Sequence, residues 1–355
     1  MTQAIQTAVV GVTGYAGAEL ARLLLRHPRL KAVPPVFAGR LDEKDAARGG
    51  IPLSAVHPQL ANNNGNAGLK LEPFSWELLA ERGVKVLFLA TPHEQSREWV
   101  PQAMARGLRV IDLSGAWRLH DAQNRAVYGF QDDDAEHAAT TQAQAVYGLP
   151  ELHRAEIAQA RLVANPGCYA TSVILALRPL VAAGVIDLEC GIVADAKSGV
   201  SGAGKAPTAK THYMYAADNL SAYSVFSHRH TGELLEQIGI KGSDIVFTPH
   251  LLPIPRGILS TIYVRFHEPQ SSDAIAGLYH DFFAESPMVR LYNGTLPQIQ
   301  YSVHTNFADI GFQLAPDGRR AVIVSCLDNL LKGASGQAVQ NLNVMLGWAE
   351  AEGLE

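Results

Sequence analysis

The sequence predicts an α/β protein with two domains, the first built on a largely parallel sheet and the second an α+β domain with a mixed sheet. Up to about residue 165, short apolar runs alternate with helical patterns. Continuous apolar strands that alternate with helices are typical of a parallel sheet covered on both faces. After residue 168, longer strand-like runs follow one another. The 355 residues suffice for two domains of about 150 residues each.

The elements of the first half follow from its hydrophobic pattern. The periodicity predicts helices over 17–26 and 94–106, the first with leucines on one face. The stretch 61–66 is a polar loop rather than a domain linker. Buried strands are predicted at Ala8–Val12, Ala32–Ala38, Val84–Ala90, Arg109–Leu113 and Leu162–Ala164.

The second half has a different pattern, with predicted helices near Thr231–Ile240 and Ser272–Glu285. Pro316-Asp317-Gly318 lies between the last two strand-like runs and predicts a hairpin there. The final segment, 330–350, is helical in pattern. Strands are predicted at Ile192–Ala196, Asp244–Phe247, Gly257–His267, Ile310–Leu314 and Ala321–Leu327.

Composition excludes several classes of protein. A net charge of −5 without a basic run argues against nucleic-acid binding. No apolar run reaches the roughly 18 residues that a membrane span needs, and the N-terminus lacks a signal-peptide pattern. Three cysteines without framework spacing favour a reducing cytoplasm. Two of them, Cys190 and Cys326, are expected to be inert core residues.

A glycine-rich turn between the first strand and the first helix predicts a nucleotide site. Glycine allows the backbone to approach a pyrophosphate closely, and the helix N-terminus offers free N–H groups to the phosphates. A tight structural turn is the alternative. The spacing is G-x-x-G-x-x-G, and the predicted cofactor-binding residues here are Gly11, Thr13, Gly14, Tyr15, Ala16 and Gly17.

The end of the second predicted strand favours NADP(H) over NAD. An acidic residue that binds the ribose diol of NAD is expected there, but the segment reads Ala38-Gly39-Arg40. Arg40 can pair with a 2′-phosphate. The alternative, a solvated loop charge, stays open.

The segment Asn165-Pro166-Gly167-Cys168 predicts a nucleophile. An apolar strand meets a turn that cannot continue it, and Cys168 then opens an apolar helix. The helix dipole and unpaired N–H groups favour the thiolate at this position. The same N–H groups can hold an oxyanion on an attacked carbonyl.

Two histidines before the helix at 231 are candidates for moving protons. We expect His230 to be the acid/base, with His228 as the alternative, and Glu233 to orient it or contact substrate. The alternative is that these residues form a helix cap with surface histidines. No further ligands at metal-site spacing accompany them, so no metal is predicted.

Other loops supply supporting candidates. Lys197–Lys205 is a second glycine-rich loop, without Walker spacing, that suits the nicotinamide half of a cofactor or a phosphate; a flexible surface loop is the alternative. Thr91 ends a strand at the expected ligand-binding edge. Arg118 is a candidate clamp for a substrate carboxylate or phosphate. The proline-rich stretch 249–257 is interpreted as mainly structural.

These motifs resemble those of the N-acetyl-γ-glutamyl-phosphate reductase family of the semialdehyde dehydrogenase superfamily. The resemblance covers essentially the whole chain, in order. The cysteine and His-Arg-His motifs are specific to the family, whereas aspartate-semialdehyde dehydrogenases share the glycine loop. The matching segments are Gly11–Gly17, Asn165–Thr171, His228–Thr231, Pro253–Gly257 and Asp328–Ala334.

The resemblance implies a Rossmann-type NADP-binding domain over 1–167, joined by the helix at 328–355, and a catalytic and oligomerisation domain over 168–327. It implies NADPH-dependent reduction of a γ-acyl phosphate, with release of phosphate, through a thioester on Cys168, in arginine biosynthesis. Ser198, Gly199 and Asn329 would contact the cofactor. A dimer or tetramer is expected. One departure is Ala38-Gly39-Arg40, which stands where the family pattern leads us to expect a serine before the arginine.

Other functions remain open from sequence. An aspartate-semialdehyde dehydrogenase would prefer aspartyl phosphate, and carrier-protein-linked glutamyl or aminoadipyl phosphate reductases look similar. A non-enzymatic NADP sensor would leave Cys168 and His230 without a purpose. A cysteine hydrolase would not need the glycine loop.

Overall fold

The computed structural model describes residues 5–61 and 68–355, so the predicted polar loop at 61–66 lies outside the described residues except for Ala61. The described residues form two sheets. The first has the strand order β3-β4-β2-β1-β5-β6-β8-β7 and is parallel except for β3 at one edge. Its strands are β1 (Thr7–Val10), β2 (Val36–Gly39), β3 (Ile51–Pro52), β4 (Lys70–Pro73), β5 (Val86–Leu89), β6 (Arg109–Asp112), β7 (Ala145–Tyr147) and β8 (Leu162–Ala164).

Helices cover both faces of this parallel sheet. Leu20 and Leu24 of the first helix pack with Val9, whereas Val100 and Met104 pack in the cluster on the opposite face. The helices are α1 (Tyr15–Arg26), α2 (Glu43–Ala47), α3 (Leu53–Val56), α4 (Trp76–Glu81), α5 (His93–Ala105), α6 (Ala122–Arg125), α7 (Ala135–Ala143) and α8 (Pro150–Gln159).

The second sheet is mixed, with the strand order β10-β11-β9-β12-β15-β14-β13. The pairs β9–β11 and β13–β14 are parallel, and the other neighbours are antiparallel. The predicted hairpin joins β14 to β15. The strands are β9 (Ile192–Gly199), β10 (Ser221–Ala222), β11 (Ile245–Leu252), β12 (Ile258–Arg265), β13 (Val289–Tyr292), β14 (Ala308–Leu314) and β15 (Arg320–Leu327).

One face of the mixed sheet packs on a buried helix that begins at Cys168. Val173, Ile174 and Leu177 of this helix are fully buried against strands β12 and β15. The opposite face keeps Val193, Val246 and Tyr263 exposed. The helices of this half are α9 (Cys168–Ala182), α10 (Tyr213–Ala216), α11 (Thr231–Ile238), α12 (Ser272–Phe282) and α13 (Ile299–Ser302).

The last segment returns to the parallel sheet. A π-helix, Leu331–Ser335, leads into α14 (Gly336–Met345), which packs against α1 and α8. Lys332, fully buried, forms an ion pair of 2.6 Å with Glu151 at the start of α8. The domain division in which 328–355 belongs with 1–167 stays a proposal.

The predicted fold class is confirmed, with differences at individual elements. The second strand begins at Val36 rather than Ala32, because Pro34 and Pro35 precede it and proline cannot donate to a sheet. The strands β3, β4, β7, β10 and β13 were not predicted; each is only two to four residues long, too short for a clear alternating pattern. Cys190 is exposed on a short 3₁₀ helix, so its predicted burial is wrong, whereas Cys326 is buried as expected.

Candidate active site

Two glycines of the nucleotide loop are required by the fold itself. Gly11 has φ +95°, and a Cβ there would lie 2.2 Å from the carbonyl oxygen of Ala90. A Cβ on Gly17 would lie 2.2 Å from the carbonyl oxygen of Gly11. The backbone therefore passes too close to both positions for any side chain, and the turn between β1 and α1 requires glycine there.

Gly14 has no such packing constraint. It caps the N-terminus of α1, and the nearest atom to an added Cβ is 3.8 Å away. The space in front of the free N–H groups of α1 is therefore open, as a bound pyrophosphate requires. Arg40 is exposed directly after β2, next to β1 in the sheet. The residues present therefore fit a dinucleotide, and the position of Arg40 suits a 2′-phosphate.

Cys168 is the first residue of α9 and is half-buried. The N–H groups of Cys168 and Tyr169 face the sulfur, but burial outweighs them and raises the pKa of the thiol to about 11. The helix N-terminus thus favours the thiolate in the direction expected from sequence, but in the protein without ligands desolvation is the larger effect. Helix position alone does not reveal how much tertiary structure covers the sulfur.

His230 lies against the residue before the nucleophile. A Cβ on Gly167 would be only 2.4 Å from Nε2 of His230, so glycine is needed for this contact. Burial, followed by the charges of His228 and Arg118, holds the pKa of His230 well below its usual range. The ring is therefore neutral at pH 7. Its Nδ1 is buried without a hydrogen-bond partner among the described residues.

His228 contacts His230 and helps to position it. Its Nδ1 accepts a hydrogen bond of 3.1 Å from the backbone N–H of His230. Its ring packs edge-on against Tyr169 and Phe247, and burial lowers its pKa to about 4. His228 does not line the cavity described below, whereas His230 does.

Glu233 is a fully buried carboxylate at the centre of the site's framework. It accepts hydrogen bonds from the backbone N–H of Gly167 (2.9 Å), the hydroxyl of Tyr147 (2.6 Å) and Nη1 of Arg118 (3.1 Å). Its Oε1 lies 4.0 Å from Nε2 of His230. One side chain of α11 thus fixes the turn before Cys168, a guanidinium and the candidate base.

The guanidinium of Arg118 donates hydrogen bonds to several partners. Nε donates to the carbonyl of Asn165 (2.7 Å) and Nη2 to that of Leu113 (3.0 Å), besides the bond to Glu233. Burial opposes its charge, but the Glu233 carboxylate raises the pKa of Arg118 above its usual value. A permanent positive charge is therefore held beside Cys168.

These groups meet at a cavity of about 320 Å³ between the nucleotide loop and the start of α9. Such a volume suits a small ligand or part of a cofactor. Three cationic side chains and three aromatic or imidazole rings face it besides His230. The lining includes Gly14, Tyr15, Ala16, Gly17, His93, Arg118, Tyr128, Gly167, Cys168, Ser201, Gly202, Lys205, Arg229, His230, Asn329 and Gly333.

Comparison with known proteins identifies the family. The semialdehyde dehydrogenase NAD binding domain matches residues 6–160, and the semialdehyde dehydrogenase dimerisation domain matches residues 168–329. N-acetyl-gamma-glutamyl-phosphate reductase of Desulfotalea psychrophila is 42% identical over 357 residues, 99% of this chain and 98% of that protein. The protein of the same name from Desulforudis audaxviator is 43% identical over 354 residues, with 99% and 98% covered.

The chain belongs to the N-acetyl-γ-glutamyl-phosphate reductase family. The family resemblance predicted from the motifs is thereby confirmed, and a nicotinamide dinucleotide is the cofactor. The fold is also that of aspartate semialdehyde dehydrogenase II of Vibrio cholerae, with a TM-score of 0.68 and 17% identity over 98% of this chain and 99% of that one. The Francisella tularensis aspartate semialdehyde dehydrogenase gives a TM-score of 0.66 at 13% identity, with 96% and 99% covered.

Several predicted site residues of this reductase-family protein support the cavity without lining it. Thr91 contacts Ser96 (3.1 Å between hydroxyls), which in turn bonds Asp112. Ser198 is buried and donates to the carbonyl of Gly199. A Cβ on Gly199 would lie 2.7 Å from the backbone nitrogen of Arg256, so this residue packs between strands. Their cofactor contacts stay predictions.

Asn329 both lines the cavity and ties its walls together. Its Oδ1 accepts from the backbone N–H of Gly257 (2.8 Å), and its Nδ2 donates to the hydroxyl of Ser201 (2.9 Å). Asn329 thus connects the second glycine-rich loop to the segment that leads into the π-helix.

Sequence reasoning missed three groups that line the cavity. The guanidinium of Arg229 contacts the imidazole of His93 and lies 5.7 Å from the ring centre of Tyr128. Burial, followed by the charge of Arg229, lowers the pKa of His93 to about 4. Arg229 is the central residue of the His-Arg-His motif, but only the two histidines of this motif were predicted as site residues.

Within 5–61 and 68–355, no group of three or more histidine, cysteine, aspartate or glutamate side chains is arranged to hold a metal ion. Over the same ranges, no helix is long and apolar enough to cross a membrane.

Proposed function

We propose that this protein reduces N-acetyl-γ-glutamyl phosphate with NADPH to N-acetylglutamate 5-semialdehyde and phosphate, through a thioester on Cys168. The observation that carries the proposal is that Cys168, at the N-terminus of α9, and the open nucleotide loop line one cavity. A dinucleotide site next to a half-buried thiol and a neutral histidine suits acyl-phosphate reduction. A hydrolase would have no use for the loop.

The first half of the reaction uses Cys168 as the nucleophile. Its sulfur attacks the γ-carbonyl carbon, and the carbon–oxygen bond to phosphate breaks, so that a thioester and inorganic phosphate form. His230, neutral at pH 7, accepts the thiol proton. Since burial raises the pKa of Cys168, the proton leaves only as the sulfur attacks or as charge in the site rearranges.

The start of α9 stabilises the oxygen of the attacked carbonyl. Its first N–H groups have no intrahelical partners, and Glu233 takes only that of Gly167. The N–H groups of Cys168 and Tyr169, which face the sulfur in the protein without ligands, are the nearest donors for an oxyanion that develops on the attacked carbonyl. The positive charge of Arg118 lies beside the same helix start.

The second half returns the cysteine to its thiol form. NADPH, when bound, supplies a hydride to the thioester carbonyl. The resulting thiohemiacetal oxygen is held by the same N–H groups, the carbon–sulfur bond breaks, and the aldehyde forms. The proton on His230 passes to the departing sulfur, so the site returns to its starting state.

Two arginines meet the anionic substrate. Arg118 is buried and fixed by Glu233, which suits the group nearest the reacting carbon. Arg229 is exposed at the mouth of the cavity beside His93. We assign Arg229 to the α-carboxylate end of the substrate, because this end extends away from Cys168.

The test is phosphate-dependent reduction of NADP⁺ by the purified protein with N-acetylglutamate semialdehyde, which is the reaction in reverse. Turnover that is lost in Cys168→Ser and kept in Cys190→Ser, an exposed cysteine, supports the proposal. Full activity of Cys168→Ser contradicts it. Aspartate semialdehyde and carrier-linked semialdehydes are assayed alongside, and a preference for either one refutes the assigned substrate.

We further propose that the protein works as a cytoplasmic homo-oligomer. The outer face of the mixed sheet is open, and four apolar side chains that precede the His228 segment are at least two-thirds exposed: Tyr213, Met214, Tyr215 and Phe226. Such surface is common at interfaces between subunits. Light scattering that gives the mass of a monomer at assay concentration would contradict this.

A further inference from the structure

The second glycine-rich loop reaches across to the nucleotide loop through one side chain. The ammonium of Lys205 donates a hydrogen bond of 3.1 Å to the backbone carbonyl of Thr13. Thr13 directly precedes Gly14, the cap of α1, so the ammonium lies close to the open helix N-terminus. Residues that follow β9 are thereby connected to the loop that follows β1.

Lys205 also stands between two cavities. It lines the cavity that contains Cys168 and a neighbouring cavity of about 590 Å³ on the other side of Tyr15. Tyr15, Ser201, Gly204 and Leu330 are shared by both linings in the same way. A ligand that extends from one cavity into the other therefore lies beside this lysine.

The three cationic side chains of the site, Arg118, Arg229 and Lys205, differ in their hydrogen-bond partners. Arg118 forms an ion pair with the buried carboxylate of Glu233, and Arg229 contacts the His93 imidazole. Lys205 has a neutral carbonyl as its partner, and within residues 5–61 and 68–355 it makes no ion pair. A carbonyl accepts a hydrogen bond from one of the three N–H donors of an ammonium, but it does not neutralise the charge. Lys205 is therefore the cation best suited to exchange its partner for an anion.

We propose that Lys205 is a phosphate-binding residue that leaves the Thr13 carbonyl for a phosphate group of a bound ligand. The phosphate chemistry has two sources here: the pyrophosphate of the dinucleotide at the N-terminus of α1, and the acyl phosphate at Cys168. The inference rests on the proposed function. Because Ser201 of the same loop is bound by Asn329, phosphate binding by Lys205 also fixes the loop against the wall of the cavity.

The experiment compares Lys205→Met, Lys205→Arg and the matched control Lys210→Met. Lys210 is exposed on the same connection and lines neither cavity. Two quantities are measured for each: the Kd of NADPH from its fluorescence, and the KM of inorganic phosphate in the reverse reaction. A charge-assisted hydrogen bond to phosphate predicts a weakening of roughly 10-fold in Lys205→Met, largely restored in Lys205→Arg.

The pattern of change identifies the phosphate. A rise in the Kd of NADPH alone assigns Lys205 to the pyrophosphate, and a rise in the KM of phosphate alone assigns it to the acyl phosphate. Values within about twofold of the parent for both quantities overturn the inference. Failure of the proposed function is distinguishable, since it removes turnover from the unaltered protein. In that case the Kd of NADPH for Lys205→Met tests the inference by itself. A Kd equal to that of the unaltered protein counts against the inference.

Discussion

Gly333 lies directly against Cys168: a Cβ on Gly333 would be 2.6 Å from the Cβ of the cysteine. The π-helix that carries Gly333 is fixed at two further points. The amide of Asn165 donates to the carbonyl of Ala334 (3.0 Å), and the hydroxyl of Ser335 donates to the carbonyl of Ala16 (2.7 Å). One short segment therefore joins the nucleotide loop to the turn before the nucleophile, and it helps to bury the thiol.

Replacement of Gly333 by alanine should displace Cys168 and lower kcat. The added methyl cannot fit without a shift of backbone or of Cys168, and overpacking of this kind costs about 1–3 kcal/mol. Steady-state kinetics and thermal melting measure the two effects. Gly277→Ala is the matched control, because Gly277 lies within α12 with nothing within 4 Å of an added Cβ. Equal activity of both variants would show that the contact does not position the nucleophile.

Replacement of Glu233 by glutamine should affect both stability and catalysis. Glutamine keeps the shape but removes the charge that faces the buried guanidinium of Arg118. Loss of one partner of a buried ion pair costs about 3–5 kcal/mol. Urea denaturation measures the free energy of unfolding, and kcat is measured at a temperature where the variant is folded.

The control for this change is Glu285→Gln. Glu285 is 89% exposed and pairs with Arg154 at the surface, where such pairs contribute about 0–1 kcal/mol. A Glu233→Gln variant with parental stability and kcat would mean that Arg118 and the turn before Cys168 are held by their other hydrogen bonds.

The sequence was informative where a function resides in contiguous residues. The glycine loop and the Asn-Pro-Gly-Cys turn each join a strand to a helix, so position and chemistry could be predicted together. The protonation of Cys168 could not, because burial by Gly333 and its neighbours depends on a segment far along the chain. Local dipoles are visible in sequence, whereas desolvation is a property of the packed site.

The support role of Glu233 illustrates the same limit. Its position in the His-Arg-His-Thr-Gly-Glu segment suggested a partner for His230, and the two are 4.0 Å apart. Its bonds to Tyr147 and to the backbone of Gly167 join three elements that lie far apart in sequence. Only the folded chain reveals that one carboxylate serves all of them.

Replacement of Arg40 by alanine should reduce the preference for NADPH over NADH. Arg40 is exposed at the end of β2, and its partner in our proposal, the 2′-phosphate, is absent from NADH. Loss of a charge-assisted contact predicts a rise of roughly 10- to 100-fold in the Kd of NADPH with little change for NADH. Arg26→Ala, an exposed arginine at the opposite end of α1, is the control. A proportional loss for both nucleotides would refute the 2′-phosphate assignment.

The raised pKa of Cys168 predicts a steep pH dependence of its alkylation in the protein without ligands. Because the thiolate is the reactive form and the pKa is about 11, the rate with iodoacetamide should rise about tenfold per pH unit from pH 7 to 9. Cys190→Ser removes the exposed competitor, and mass spectrometry of the Cys168 peptide gives the rate. A rate that is already constant above pH 7 would mean that the helix N-terminus, not burial, controls the thiol.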